Sequence, residues 1–240
     1  MRTGRYDGVI PFLCSMQLSK LRELFQDYRR HLQSGRRHER LHYWAALQHF
    51  QDHWDMQADD LPAMLDASFQ NPTTRRLWKR EGWEPKRMLL ELAGHEPGLM
   101  RQALRDLLNE EKALDGRATR FVFYMDELLQ TYRKAHPRSI DASHYLDDYE
   151  FIFLLLAFRY PAHYAPYDFS RFRRLLEMVL APNIPATHDV ERYAKVMRTL
   201  YKLMEKEEGL LALHRQRLLP KHFAGETLLP AFDFLQVVAD

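Results

Sequence analysis

The chain has 240 residues, of which 46% are hydrophobic and 28% charged, enough apolar material for a real core and too much for wholesale disorder. Lys and Arg number 35 against 33 Asp and Glu, so the formal charge of +2 is far from a histone-like polycation, and nine Gly with twelve Pro exclude collagen-like and linker-type chains. The one cysteine, Cys14, points to a reducing, cytoplasmic setting, and the longest apolar run, Phe151–Phe158, is too short for a membrane span.

In chain order, residues 1–15 hold Gly4, Gly8 and Pro11 without a sustained period and read as a loosely attached lead-in. From Leu18 the positions Leu21, Phe25, Tyr28 and Leu32 keep helical spacing up to Ser34-Gly35. A second helix, about 38–55, places Tyr43, Leu47, Phe50 and Trp54 on one stripe. Asp59 or Asp60 caps a third, with Pro62 in its first turn. Asn71-Pro72 breaks it, and Thr73 or Thr74 opens a short basic helix through Arg80. Pro85 starts another, with Gly94 placed where a C′ residue belongs. Further helices are expected at about 97–110 and 117–135.

His136-Pro137-Arg138-Ser139 is the clearest internal break and marks a candidate subdomain boundary at 136–144. The segment 145–159 is apolar all round in its second half, as a helix buried among others is, and Pro161 stops it. Helices at about 170–180, 187–207, 210–218 and 227–238 complete the set, with Ala181–Pro185 as a rigid link and Glu205–Glu208 as a solvated helix end. Strand evidence is poor. Phe121–Tyr124 could pass for a short strand, but Phe121, Met125, Leu128 and Tyr132 carry a helical period through it. The expectation is an all-α chain of roughly ten helices, one compact domain or two packed helical subdomains.

No enzyme motif is legible. A phosphate-cradling loop needs a Gly-Lys pair, and none occurs; His-Glu-x-x-His and paired cysteines are also absent. Glu84-Pro85-Lys86 has half of a nuclease signature without its strands. The Arg-x4–6-His pattern of HEPN ribonucleases, in which arginine holds a phosphate while histidine moves a proton, fits Arg36 or Arg37 with His42, Arg138 with His144, and Arg215 or Arg217 with His222. A chain this rich in arginine and histidine produces such pairs by chance. No catalytic residue, metal or cofactor is therefore assigned.

Two surface features remain. His38, His42, His49 and His53 fall on one side of the second helix, where i,i+4 pairs can chelate a divalent ion with Asp52 beside them. Helical pairs without further ligands have low specificity, so a polar outer face or a contact with a neighbouring helix is the simpler explanation. Basic clusters occur at Arg29, Arg30, Arg36, Arg37 and Arg40, and at Arg75, Arg76, Lys79, Arg80, Lys86 and Arg87. A third, Arg171, Arg173 and Arg174, lies in sequence near Tyr160, Tyr164, Tyr167 and Phe172. Cations with aromatics are what nucleic-acid grooves use, and the second and third clusters are candidate DNA contacts.

The stretch Tyr43–Asp55, containing His49-Phe50-Gln51-Asp52-His53-Trp54-Asp55, resembles the helical N-terminal region ahead of the AAA+ domain in McrB-like, GTP-dependent restriction proteins. Ala58-Asp59-Asp60-Leu61, Met64-Leu65, Met88–Ala93 with Glu96-Pro97, and Phe158–Pro161 with His163-Tyr164 extend the similarity from about residue 20 to about residue 205. His49, Phe50, Gln51, Asp52, Trp54 and Asp55 form a distinctive string that is as easily a packing signature as a functional one. The resemblance implies anti-phage defence, in which such a region serves as specificity or adaptor module for an AAA+ motor and an McrC-like nuclease. This chain lacks the motor, so the implied role is that of the detached module, without enzymatic activity, contacting DNA or a partner protein.

Overall fold

The computed structural model describes residues 17–34, 38–70, 77, 85–137 and 149–240. Among the described residues there are eleven helices and no strand, an all-α fold. They are α1 (Leu18–Gln33), α2 (His42–His53), α3 (Leu61–Phe69), α4 (Pro85–His95), α5 (Pro97–Leu107) and α6 (Leu114–Ala135). After these come α7 (Tyr149–Arg159), α8 (Phe169–Met178), α9 (Val190–Lys206), α10 (Leu210–Gln216) and α11 (Leu229–Val238). The short basic helix expected through Arg80 lies outside the described residues except for Leu77, which is helical and buried, and the lead-in of residues 1–15 lies outside them altogether.

Local chemistry explains most boundaries. Asp60, Asp168 and Asp189 each accept a bond from the backbone N–H three residues on, at 2.9, 3.0 and 3.0 Å, and so satisfy otherwise orphaned donors at the starts of α3, α8 and α9. Ser34 closes α1 by returning both its backbone N–H and its hydroxyl to the His31 carbonyl, at 3.0 and 2.7 Å. Gly209 turns the chain between α9 and α10 at φ +70°, a left-handed conformation that costs glycine least.

Two expectations need correction, and the helical reading of Phe121–Tyr124 holds. Helix α2 begins at His42 rather than near residue 38, because residues 38–41 form a turn with Arg40 at φ +62°. Gly94 is not a C′ residue: α4 runs through it to His95, and Glu96 alone separates α4 from Pro97 at the start of α5. Phe121–Tyr124 lies inside α6, with Phe121 buried and Phe123 exposed.

The chain forms two compact units. The larger comprises residues 40–167 and 218–229. Within it α2, α3, α4, α5 and α6 pack in sequence, each against the next, and α7 packs on α2. Every residue from Phe151 to Phe158 is buried, which is why this helix carries no polar stripe. Phe50 is its aromatic centre, with ring centroids 4.6 Å from Trp54, 5.3 Å from Phe69 and 5.5 Å from Phe158. The segment 218–229 is tied in by Phe223 N–H on the Trp44 carbonyl (3.1 Å) and Leu228 N–H on the Pro161 carbonyl (2.8 Å). The candidate break at 136–144 is largely outside the described residues; α6 and α7, on either side of it, belong to the same unit.

The smaller unit comprises α1, α8, α9, α10 and α11 from Pro230 onward. Phe234 of α11 packs on Phe25 (5.0 Å) and edge-on to Tyr28 (5.6 Å) of α1, while Phe172 of α8 meets Tyr193 of α9 edge-on at 5.2 Å. A charged network runs through this apolar interior. Tyr28 Oη donates to Asp233 at 2.6 Å, the Arg217 guanidinium donates to the same carboxylate oxygen, and Arg217 Nε donates to His214 Nδ1 at 3.0 Å. All four side chains are buried. Burial, reinforced by the Arg217 charge, pushes the His214 imidazole down to about 3, so it stays neutral and accepts through Nδ1.

Candidate functional site

The histidines of α2 do not form one outer face. His49 is half-buried and its Nε2 faces the Ala67 carbonyl of α3 at 2.8 Å; His53 Nδ1 faces the His49 carbonyl at 2.8 Å. A ring nitrogen that faces a carbonyl must carry its hydrogen, so each imidazole spends one nitrogen on backbone rather than holding it open for a metal. His42 is half-buried beside Tyr43, and His38 precedes the helix. The packing stripe is also broader than the spacing suggested. Trp44, Ala45, Ala46, Leu47 and Phe50 are buried, whereas Tyr43 and Trp54 are half-buried, because α3 and α7 cover two sides of the helix. Among the described residues no group of three or more His, Cys, Asp or Glu could hold a metal ion.

The string His49-Phe50-Gln51-Asp52-His53-Trp54-Asp55 is knitted into the larger unit. Phe50 is fully buried and stacks on Trp54, Gln51 donates through Nε2 to the Phe158 carbonyl, Asp52 accepts from Gln48 at 2.8 Å, and Asp55 accepts the Gln57 N–H at 2.8 Å. Each contact fixes the helix or the turn after it.

Of the second basic cluster, Arg75, Arg76, Lys79 and Arg80 lie outside the described residues. Lys86 pairs with Asp66 at 2.6 Å and Arg87 with Glu91 at 2.8 Å, so both have carboxylate partners on the protein itself. In the third cluster the members differ. Arg171 is held between Asp168 (2.9 Å) and Asp240 (2.7 Å). Burial opposes charge on Asp168, but bonds from the Arg171 N–H, Gln236, the Arg171 guanidinium and Ser170 outweigh it and hold the carboxyl below its usual value. Arg173 lies over the Phe169 ring at 5.9 Å, and Arg174 is exposed. Tyr164 and Tyr167 are buried core residues rather than stacking platforms.

Of the described HEPN-type residues, Arg217 and His222 are buried, and Arg215 is exposed with its Nε on the Leu211 carbonyl at 3.3 Å. Arg217 is committed to Asp233 and His214, and buried His222 uses Nδ1 to accept the Leu219 N–H at 2.9 Å. His144, with Arg138, and both Arg36 and Arg37 lie outside the described residues.

A basic concavity that the sequence clusters did not single out lies at the start of α9. It is open, about 530 Å³ in volume, and lined by Pro182, Asn183, Asp189, Glu191, Arg192, Lys195 and Arg198. Asn183, at φ +55°, turns the approaching chain so that its carbonyl and that of Pro182 accept from the Arg192 guanidinium, the latter at 3.0 Å. The loop and the helix are thereby pinned together. The Phe169 ring packs on His188 at 4.5 Å, which brings Arg173 close to the same end of α9. The signal was present in the sequence but diluted: these cations recur every third residue instead of forming a run. What the arrangement can do chemically is attract an anion through its three cations, beside the carboxylates of Asp189 and Glu191.

No known protein family matches the chain, and no curated protein or solved structure matches it.

Proposed function

We propose that this chain is a non-enzymatic recognition or adaptor module, of the restriction-type anti-phage defence class its sequence resembles, and that its ligand is a polyanion, DNA above all. The observation that carries this reading is the group of cations around the concavity at the start of α9: exposed Lys195 and half-buried Arg192 and Arg198 line it, together with Asp189 and Glu191. Arg217 and His222, which fit a ribonuclease pattern, are buried and engaged in structural bonds, and Arg215, which fits it too, is exposed with its Nε on the Leu211 carbonyl. Cations around a recess raise the local concentration of anions and release counterions on binding phosphate.

In the defence setting the other components would be an AAA+ motor and an McrC-like nuclease. The test is binding of the purified chain to modified and unmodified duplex DNA at two salt concentrations, with nucleotide hydrolysis and DNA cleavage followed in parallel. Salt-sensitive binding without turnover is expected. Turnover that survives repeated purification and vanishes on a single substitution in this chain would overturn the non-enzymatic reading.

A further inference from the structure

We propose that the solvent-facing side of α9 is a docking track for the phosphate backbone of duplex nucleic acid, read without regard to sequence. This rests on the polyanion reading above and assigns it a surface and a class of ligand. Helix α9 buries Tyr193, Val196, Met197, Leu200 and Met204 in the core of its unit. The opposite side carries Arg192, Lys195, Arg198, Lys202 and Lys206, of which Lys195, Lys202 and Lys206 are exposed and the two arginines half-buried. At 100° per residue these five lie within roughly 120° of arc, and at 1.5 Å per residue they extend over about 21 Å. Glu191 and Glu205 share the face and leave cations in excess.

An extended row of cations suits a ligand that is itself a row of charges better than it suits a single anion. The row starts at the concavity, where the bonds from Arg192 to the Pro182 and Asn183 carbonyls hold the guanidinium in place before any ligand arrives. Pre-ordering one end reduces the side-chain entropy lost on binding.

The neighbourhood selects among polyanions. Single-strand binders supply aromatic platforms for unstacked bases. Among the described residues of this unit no Phe, Tyr or Trp is exposed; Phe169 and Tyr201 are half-buried, and Phe169 is faced by His188 and Arg173. A lipid surface would need apolar anchors, and the exposed large apolar residues of the unit are the isolated leucines Leu18 and Leu180. Burying one such side chain yields only about 1.5–3 kcal/mol, short of stable membrane attachment. A duplex asks for phosphate contacts alone, and the lysines, point charges on flexible stems, have no means of reading base edges.

The experiment uses the full chain with a duplex and a single strand of about 20 nucleotides in random sequence, and with phosphatidylserine vesicles. Affinity is measured over a salt series for the wild type, for a Lys195→Ala/Lys202→Ala/Lys206→Ala variant, and for an Arg105→Ala/Lys134→Ala/Lys221→Ala control that removes equal charge from exposed positions of the larger unit. The wild type should prefer duplex, and the α9 variant should lower the salt slope by about 2.7, at ~0.9 per lost contact, while the control leaves it unchanged. Because the α9 lysines are exposed, the variant should melt with the wild type, which separates lost binding from lost fold. If the wild type binds duplex and the α9 variant keeps its affinity and slope, the track is wrong and the polyanion reading stands. Equal losses in the α9 variant and the control would reduce the effect to net charge and overturn the track. Preference for the single strand or for vesicles also overturns it, and a wild type that binds no polyanion overturns both readings.

Discussion

The two units solve the problem of burial differently. The larger is held mainly by hydrocarbon and aromatic surface: α7 is buried from Phe151 to Phe158, and Phe50 gathers Trp54, Phe69 and Phe158 around it, while its buried Arg117 donates to the neutral Leu107 carbonyl and Tyr164 hydroxyl. The smaller places ionised groups in its interior, where Tyr28, Asp233, Arg217 and His214 bond to one another out of contact with water. Apolar packing tolerates rearrangement, since one hydrophobic side chain can move to fill another's place at modest cost. A buried ion pair does not, because each group left alone pays its full desolvation cost. The difference teaches where each unit is vulnerable: the larger to changes of volume, the smaller to loss of any one partner and to acid.

The sharpest break in that comparison is Arg217→Met, which removes the guanidinium that faces the buried Asp233 carboxylate. Unfolding free energy from urea titration, read on a probe in the smaller unit, should fall by roughly 3–5 kcal/mol. Adding Asp233→Leu should recover most of it, because the second change removes the stranded charge. A single variant as stable as wild type would mean the network does not hold the unit.

In the larger unit the matching change is Leu156→Ala, at a side chain with no exposure in the middle of α7. A loss of about 3 kcal/mol is expected from lost transfer energy plus the cavity left behind. No dependence on pH should accompany it, in contrast to the smaller unit.

Acid separates the two further. The His214 pKa is lowered to about 3 in the folded state against ~6.5 unfolded, so between these values the unfolded chain binds a proton that the folded chain refuses. The stability from neutral His214 is complete above about pH 6.5 and declines as pH falls toward 3, by about 1.4 kcal/mol per pH unit. Asparagine at this position keeps an acceptor for Arg217 Nε and has no proton to gain. His214→Asn should therefore flatten the stability profile between about pH 6.5 and 4; an unaltered slope would refute the assignment.

The smallest effect tests local chemistry in the unit built on packing. Asp60→Ala removes the oxygen that accepts the Ala63 N–H at the start of α3 and should cost about 1 kcal/mol, detectable as a lower melting temperature. Asp60→Ser should restore most of it.

How much was legible follows from what each interaction depends on. Helix class and approximate bounds rest on i,i+3 and i,i+4 spacing and on caps such as Asp60, all within a few residues along the chain, and among the described residues most of them read correctly, the start of α2 and the end of α4 excepted. The interior position of α7 was readable for the same reason, since a helix without a polar stripe must be covered. At the surface, spacing revealed which residues share a face but not what lies opposite that face. His49 looked solvent-directed until α3 supplied the Ala67 carbonyl, and Arg171 looked available until Asp240 reached it from the C-terminus.

Charge separates sequence from structure most clearly. The sequence by itself determined that the chain is helical, that its charges nearly balance and that it lacks the motifs of known phosphate loops, because those properties reside in composition and short-range order. It could not determine which distant carboxylates meet which cations, since Asp240 lies 69 residues from Arg171 and Asp233 16 residues from Arg217. Only the tertiary structure decided that Arg217 would be interior and that Arg192, Lys195 and Arg198 would line an open concavity. The physical reason is that burial and Coulomb interaction depend on distance through space, and folding sets that distance for residues far apart in the chain.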